Sequence, residues 1–375
     1  MSKVAVMKTS PETVVEDYKH IMNLSDYTKS LSKENKTILK LNLSWTLYYP
    51  ACSTPPWQLE GVLNTLKRDG YHDVVAVENQ TVVTHPWKGA YYNKWLPLLN
   101  QYRIDFEPLT DVEWVSYRPE SEMLAMNEIF GEVYVPEMFY NSNVIHFPTV
   151  KTHGHTTTTG AMKNAFGGLI PKYRHHAHKK IHEVLVDLLI IQKEIHKGIF
   201  SVMDGCVCGN GAGPRTMEPF YGNIILGSED QVAIDALAAK IMGFDPLKID
   251  YIKMAHDKGL GMGDVDQIEI VGIDEGELKK MNFGFQTIKS PVIRWDQRLR
   301  KKTMGMKRLH ALLFNSPIFK TFIFASEFYH DRLWYPVIGK KKIDEYKKTE
   351  WGQMFEKYEY GDFPKYSKVK EWDPY

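Results

Sequence analysis

Hydrophobic positions recur along the first 275 residues in a pattern that predicts buried strands separated by amphipathic helices. A helical pattern spans about residues 57–68, and Ser10-Pro11-Glu12 carries the cap, proline and acid of a helix start. The order strand–helix–strand favours parallel pairing with right-handed crossovers. Strand-length apolar runs occur at Lys3–Met7, Ile38–Leu43, Val74–Val77, Ile104–Phe106 and Val112–Tyr117.

A second series of elements follows residue 142. Apolar periodicity predicts a helix over about Lys179–His196. Ser228 and Gln231 have the spacing of a capping box, which predicts that another helix begins there. Asp245-Pro246 marks a further helix start. Strands are predicted at Val144–Val150, Phe200–Met203, Asn223–Leu226 and Gln267–Val271.

The chain changes character after about residue 275. Basic clusters at Arg298–Lys302 and Lys340–Lys342 flank an aromatic and aliphatic segment with a helical rather than a strand pattern. Two interpretations stay open: an appendage packed on the body or on a second subunit, or a surface for a membrane or protein partner. We therefore predict an α/β fold with two lobes, largely parallel sheets with flanking helices, and a helical C-terminal extension. The predicted domains are residues 1–142, 143–275 and 276–375.

Composition narrows the functional classes. Lys plus Arg (47) nearly balances Asp plus Glu (46), so no overall charge favours nucleic acid as a partner. Three cysteines without a CxxC pair exclude a self-contained iron–sulfur module and a standard zinc ribbon. The first residues lack the apolar run of a signal peptide, and we expect a cytoplasmic protein.

Candidate chemistry concentrates between residues 144 and 171. The predicted strand there leads into Lys151, His153 and His155, at the strand end where α/β proteins place binding crevices. Hydroxyls at a helix start would hold a phosphate or carboxylate. A buried lysine at 163 could act as a nucleophile or covalent anchor, and the two histidines could move a proton. The residues predicted to bind substrate or cofactor here are Lys151, Thr156, Thr157, Thr158, Thr159 and Asn164, and the predicted catalytic residues are Lys163, His153 and His155.

The run KYRHHAHKKIHE raises the question of a metal. If the helix reaches back to His175, then His175, His178 and His182 line one stripe, and neutral imidazoles are good ligands for zinc, nickel, copper or iron. The surrounding lysines and Arg174 oppose a cation and favour an anionic ligand. Anion binding, with Arg174 contributing, is therefore the preferred interpretation, and the three histidines stay a lesser metal hypothesis.

The run MDGCVCGNGAGPR predicts a glycine-rich turn whose backbone N–H groups could face an anion. Asp204, at a strand end, could orient a histidine or accept a hydrogen bond from substrate. Cys206 and Cys208 are interpreted as buried, unreactive thiols, although a loop could bring them together on a metal. The binding residues predicted from this run are Asp204, Gly209, Asn210, Gly211, Gly213 and Arg215.

Five ordered segments resemble the domain-of-unknown-function 362 family: KTHGHTTTTGAMKNAFGGLIP, IHEVLVDLL, the Asp-Gly…Gly-Pro run, SEDQVAIDALAAKIMGFDP and AHDKGLGMGDVDQIEIVG. The resemblance covers roughly residues 1–275. Many members carry a fused ferredoxin-type module, whose cysteines this chain lacks, and the chain also departs from the family at Cys206-Val-Cys208.

A more distant similarity is to lactate racemases, which hold a nickel-pincer nucleotide between two domains. In those enzymes a histidine precedes the cofactor-anchoring lysine by ten positions, as His153 precedes Lys163. That resemblance implies that a later histidine supplies the metal ligand, with His175, His176 and His178 as candidates.

These observations lead to two functional hypotheses. The first is an enzyme acting on a small anionic molecule in a cleft between the lobes, with redox or isomerase chemistry that requires a bound cofactor or metal. That cofactor is unidentified; a metal, a nickel-pincer-like group and a redox cofactor all stay open. The second is a non-catalytic ligand-binding protein whose C-terminal extension docks a protein partner, a second copy or a membrane surface.

Overall fold

The computed structural model describes residues 2–81, 84–171, 174–303, 305–314, 316 and 318–364. The strands are β1 (Lys3–Lys8), β2 (Thr37–Lys40), β3 (Val74–Glu78), β4 (Asp105–Pro108), β5 (Trp114–Tyr117), β6 (Val133–Pro136), β7 (Asn143–His146), β8 (Thr149–His153), β9 (Thr157–Thr158), β10 (Gly198–Ala212), β11 (Thr216–Ser228) and β12 (Glu269–Val271).

The α-helices are α1 (Val14–Leu24), α2 (Tyr27–Ser30), α3 (Pro56–Arg68), α4 (Pro86–Tyr92), α5 (Trp95–Tyr102), α6 (Met126–Phe130), α7 (Ala161–Asn164), α8 (Phe166–Leu169), α9 (Ile181–Ile195), α10 (Gln231–Met242), α11 (Asp250–Asp257), α12 (Glu275–Lys280), α13 (Pro291–Thr303), α14 (Lys307–Phe314), α15 (Phe319–Glu327), α16 (Lys340–Lys347) and α17 (Glu350–Glu356). Short 3₁₀ helices lie at Glu137–Phe139, Arg174–Lys179, Pro246–Lys248 and Val265–Gln267, and a π-helix lies at Phe328–Gly339.

One mixed sheet forms the centre of the molecule, with strand order β12-β1-β11-β10-β7-β2-β3-β4. The run from β4 through β3, β2 and β7 to β10 is parallel, and β11 pairs antiparallel with both β10 and β1. Helices bury both faces, as a parallel sheet requires. One apolar cluster includes α9 and α10, and the other includes α1 and α3. The predicted α/β class, with mostly parallel strands and flanking helices, is confirmed.

The helical C-terminal region is also confirmed, and part of it packs on the body. Tyr346, Trp351 and Phe355 are buried in the same apolar cluster as α1 and α3. Trp351 Nε1 donates a hydrogen bond to Asn223 Oδ1 over 2.7 Å. The end of the described chain therefore belongs to the globular body.

The sheet is continuous across the predicted lobe boundary at residue 142. Strand β2, from the first predicted lobe, pairs in parallel with β7 from the second, with Thr37 opposite Asn143 and Lys40 opposite His146. The division of the chain into domains at residues 142 and 275 stays a prediction.

Three local predictions are wrong in instructive ways. The strand expected over Val144–Val150 is two strands, β7 and β8, interrupted at Phe147-Pro148, where proline has no N–H for a ladder. The glycine-rich turn expected near 205–213 is largely strand, because β10 runs on to Ala212 and pairs with β11. Asp230, rather than Ser228, caps α10: its side chain accepts from the N–H groups of Val232 and Ala233.

Candidate functional site

The candidate site lies where the strand order reverses. Successive strands β2, β3 and β4 extend the sheet in one direction, and β7 then joins β2 on its other side. Parallel α/β sheets bind ligands in the crevice beside the carboxyl ends of strands at such a switch point. Lys40 ends β2, Glu78 ends β3, and His153 ends β8.

A cavity of about 590 Å³ opens at this edge, and we call it the central cavity. Its floor comes from the strand ends and from α7 and α8, and its roof comes from α13, α15 and the following π-helix. The roof is mainly apolar, with Pro291, Ile293, Trp295, Phe319, Phe322 and Ile323. Its charged and imidazole side chains are Lys40, Glu78, His153, His155, Lys163, Arg174, His175, His178, Arg215, Asp296, Arg300 and His330.

Lys163 is the amine best placed for chemistry. It belongs to α7, which packs against α9 and α10, and it lines the central cavity. No hydrogen bond or ion pair reaches its Nζ from the described residues; the ring of Phe166 lies 5.3 Å away. Burial lowers the pKa of Lys163 to about 8. About a tenth of this amine is therefore unprotonated at pH 7, against less than about a thousandth for an exposed lysine, which makes it more nucleophilic.

The histidines form a group beside this lysine. The rings of His155 and His178 stack with centroids 4.6 Å apart, and His153 lies 5.8 Å from His155. Burial lowers the pKa of His153 and His178 well below the ordinary value, and that of His155 to about 4. His153 Nδ1 accepts a hydrogen bond from the backbone N–H of His155. These neutral imidazoles can accept a proton once a ligand brings negative charge into the cavity.

Cations outnumber carboxylates around the cavity. Five Lys or Arg side chains line it against two acids, Glu78 and Asp296, among the described residues. Both acids are already paired: Glu78 lies 2.9 Å from Lys40, and Asp296 lies 2.9 Å from Arg300. The lining therefore carries an excess of positive charge that an anion would neutralise.

Two of the arginines have unused donors. Arg215 Nη1 and Arg300 Nη2 are buried and have no hydrogen-bond partner among the described residues. Burial lowers the pKa of Arg215 to about 10, but the guanidinium stays charged at neutral pH. Arg174 differs, because its guanidinium donates to the backbone carbonyls of Ile170, Gln80 and Gly167. Arg174 lines the cavity but is mostly occupied in holding loops together.

The threonines do not start a helix, contrary to expectation. Thr157 and Thr158 form β9, which pairs with β8, and the hydroxyls of Thr156 and Thr159 donate to backbone carbonyls. Thr158 shares a hydrogen bond with Tyr251. These hydroxyls are used in building the hairpin, and none of the four threonines lines the cavity.

The start of α7 is occupied by a carboxyl group from the protein itself. Asp235 on α10 accepts from the N–H groups of Ala161 (2.6 Å) and Met162 (3.1 Å). Gly160, at φ +122, makes room for it, because a Cβ there would lie 2.3 Å from Asp235 Oδ1. The anion site predicted at this helix end is therefore filled by Asp235.

Several other residues predicted for the site do not line the cavity. Lys151 is buried, and its Nζ donates to Asn42 Oδ1, the Cys52 carbonyl and Thr149 Oγ1. Asp204 accepts from Tyr18 and Trp57 in the core. Gly209, Asn210 and Gly211 belong to the β10–β11 hairpin, and Asn210 accepts from the N–H of Gln286. From this run, Gly213 and Arg215 line the cavity.

The three histidines predicted as metal ligands do not converge on one point. Arg174–Lys179 is a 3₁₀ helix, and Lys180 breaks it from α9, so His175, His178 and His182 share no continuous helical stripe. His175 stacks on Phe319, His178 stacks on His155, and His182 lies near Tyr251. Within the described ranges, no three His, Cys, Asp or Glu side chains are grouped closely enough to hold a metal ion. Cys206 and Cys208 are buried free thiols.

Sequence reasoning missed the Lys40–Glu78 pair and the whole roof. Lys40 and Glu78 end buried strands as charged residues, and that signal was readable in the sequence. The roof residues carry no such signal, because aromatic side chains at 295–322 are equally compatible with a surface. Asn164 ties α7 to the end of β2: its Nδ2 donates to the Lys40 carbonyl, and its Oδ1 accepts from Asn42.

The fold and the cavity define an α/β protein with a cationic, apolar-roofed crevice at a sheet switch point. A family model described as Domain of unknown function (DUF362) matches residues 37–240, and the chain belongs to this family. A thylakoid-associated protein of Synechocystis sp. is 25% identical over 173 residues, which is 45% of this chain and 51% of that protein. The match thus spans about half of that relative's length.

A solved structure of a Thermotoga maritima protein is 10% identical, covers 72% of this chain and 62% of its own, and has a TM-score of 0.38. The resemblance to lactate racemases is not shown by these comparisons, although His153 and Lys163 do line one cavity. In the part of the chain that the structure describes, helices long and apolar enough to cross a membrane are absent.

Proposed function

We propose that the protein is an enzyme that binds a small anionic substrate in the central cavity, with Lys163 as nucleophile or covalent anchor. One observation carries the proposal: an amine that is partly deprotonated, and unpaired among the described residues, lies in a cavity whose lining has an excess of buried cations. The anion would contact Arg215 and Arg300, each of which has a buried N–H donor without a partner in the part of the chain that the structure describes. An apolar part of the substrate would lie against the roof.

His153 is the proposed proton carrier. It ends β8 and lines the same cavity as Lys163, and the charge of Lys163 contributes to lowering the pKa of His153. A neutral imidazole can take a proton from a bound substrate or from the lysine as the amine attacks. His155 and His178, which stack on each other beside it, would hold the ring in place and, being neutral, would add no charge of their own.

The reaction class stays open between redox and isomerase chemistry, either of which would need a bound cofactor or metal. Such a group would supply the electron or hydride chemistry, and this chain would contribute Lys163 as anchor and cations for its anionic parts. We place this activity in the cytoplasm, where three free cysteines are ordinary. An alternative is a ligand-binding protein without turnover, in which the same cavity holds the anion.

The test uses pyridoxal 5′-phosphate, an anionic aldehyde, followed by borohydride and peptide mass spectrometry. Attack by an unprotonated amine releases water and gives an imine, which reduction makes permanent. Because the pKa of Lys163 is about 8, we expect labelling roughly a hundredfold faster than at exposed lysines near pH 7, rising with pH to half-maximum near 8. Inorganic phosphate should slow it by competing for the arginines.

Lys163→Arg should remove this fast labelling, and Lys340→Arg, which changes an exposed lysine, should leave it unchanged. If Lys163 reacts no faster than exposed lysines, the proposed nucleophile is wrong. Metal analysis and an absorption spectrum of protein purified without oxygen separate the alternatives. A chromophore or metal lost in Lys163→Ala supports the enzyme; a colourless, metal-free protein whose phosphate binding survives Lys163→Ala and His153→Ala contradicts it.

A further inference from the structure

The helices that roof the cavity have an outer surface unlike the rest of the molecule. Of seventeen exposed large apolar side chains among the described residues, ten lie within residues 291–339. The most exposed are Phe324 (68%) and Val337 (61%). The surface of a soluble protein rarely carries so many exposed apolar side chains in one short segment unless that segment binds a partner.

Several of these side chains form a stripe. Phe324 and Phe328 are four positions apart, and Leu333 and Val337 follow at spacings of five and four. Helix α15 continues into the π-helix, whose turn spans more residues, so these spacings repeat on one face. The rings of Phe324 and Phe328 are stacked 6.3 Å apart. The opposite side of the same helix contributes Phe319, Phe322 and Ile323 to the roof of the cavity.

Charge is distributed unevenly across the same segment. Residues 291–339 contain nine Lys or Arg and three Asp or Glu, although the whole chain has a net charge of only +1. The three acids are all partly buried: Asp296 pairs with Arg300, Asp331 accepts from Trp45, and Glu327 lies near Arg215. The exposed charges of this segment are basic, at Arg294, Arg298, Lys301, Lys302, Arg308, Lys320 and Arg332.

We propose that the outer face of residues 291–339 docks on an anionic membrane surface. Helices with an apolar stripe bordered by Lys and Arg lie in the plane of the headgroups, with the apolar side chains inserted and the cations against lipid phosphates. A protein partner could match exposed charges of either sign, whereas an anionic bilayer attracts basic charges and repels acidic ones. The exposed charges of this face are basic, which favours the bilayer. Docking would place the roof of the central cavity at the lipid surface. The proposal concerns this face alone and does not depend on the chemistry of Lys163.

The experiment is vesicle flotation of the full chain, using phosphatidylcholine alone and phosphatidylcholine mixed with phosphatidylglycerol. Binding is expected to the anionic vesicles only and to weaken with added salt, since screening shortens the range of the attraction. The variant Phe324→Ser/Phe328→Ser should lose binding. Arg298→Gln/Lys301→Gln/Lys302→Gln should weaken it about a hundredfold, because each cation near the surface contributes about fivefold.

The matched control is Lys29→Gln/Lys248→Gln/Lys279→Gln, which removes the same charge from exposed lysines elsewhere on the body and should retain binding. Circular dichroism checks that each variant is folded. Equal binding to neutral vesicles, no binding to either kind, or equal loss in the control would overturn the proposal. So would light scattering that shows a dimer dispersed by Phe324→Ser/Phe328→Ser without any vesicle binding, since the face would then join two copies.

Discussion

At the scale of single residues, the candidate site contains buried charged side chains, and their contacts determine how burial changes their pKa. Lys40 and Glu78 are each 3% exposed at their side chains and lie 2.9 Å apart, with the Leu41 carbonyl and the Asn79 N–H completing the contacts. Burial lowers the pKa of Lys40 and raises that of Glu78, and the close contact opposes both shifts because each charge stabilises the other. Lys163, which has no charged partner among the described residues, responds to the same burial by becoming a weaker base.

Removing one member of the Lys40–Glu78 pair should be costly. In Glu78→Gln the buried ammonium loses its counter-charge, and we expect the free energy of unfolding to fall by about 3 kcal/mol or more. The double variant Lys40→Met/Glu78→Leu removes both charges and should recover much of that loss. Urea denaturation followed by circular dichroism measures both. A Glu78→Gln protein as stable as the parent would mean that water already reaches this pair.

At the scale of elements, the short helix α7 is fixed by contacts from distant strands and helices. Its N–H groups are capped by Asp235 from α10, and its last residue, Asn164, bonds to the end of β2. Four residues cannot hold a helix by themselves. The position of Lys163 in the cavity is therefore decided by α10 and β2, and it would change if either contact were lost.

Asp235 should make stability depend on pH. Burial raises the pKa of this carboxyl to about 8, whereas the unfolded chain ionises near the ordinary value. The folded state then holds its proton while the unfolded state releases it, so stability is greatest below about pH 4 and falls progressively up to about pH 8. Asp235→Asn keeps an acceptor for Ala161 and stays neutral, so this fall should be absent.

Thermal unfolding at several values between about pH 5 and pH 8 tests this prediction. The parent and Asp235→Asn should be closest in stability at the acidic end, and the asparagine variant should gain relative to the parent as pH rises. Asp245→Asn, which alters an exposed cap on the 3₁₀ helix Pro246–Lys248, is the matched control. Parallel pH profiles for the parent and Asp235→Asn would contradict the assignment.

At the scale of the whole molecule, one sheet joins the two predicted lobes. The ladders from β4 to β10 cross residue 142 without interruption, and the apolar clusters on both faces include residues from each side of that boundary. Cores shared in this way unfold together. We therefore expect a single cooperative transition for the body by calorimetry. Two separated transitions, each assigned by limited proteolysis to one side of residue 142, would instead support independent lobes.

Local patterns allowed much of the fold to be predicted. The apolar runs at Lys3–Met7 and Val74–Val77 became β1 and β3, and the periodicity over 179–196 became α9. The ends of elements were less predictable, because caps such as Asp230 depend on which acceptor the folded chain brings near. Of the candidate site, His153, His155, Lys163 and Arg215 do line one cavity. The threonine run was misread, since the same residues favour a hairpin once β8 has a partner.

The sequence by itself determined that this is an α/β protein of its family, and it predicted a candidate site at the end of β8, with Lys163 and His153. Side-chain periodicity and residue type are local properties, and they are sufficient to predict the fold class and the candidate residues. Tertiary structure decided the rest. It brings Lys40 and Glu78 together beside the candidate site, and it places Asp235 at the helix end where the sequence predicted a bound anion. It also places residues 291–330 over the cavity as its roof. These contacts join residues far apart in the chain, and only the order of strands in the sheet brings them together.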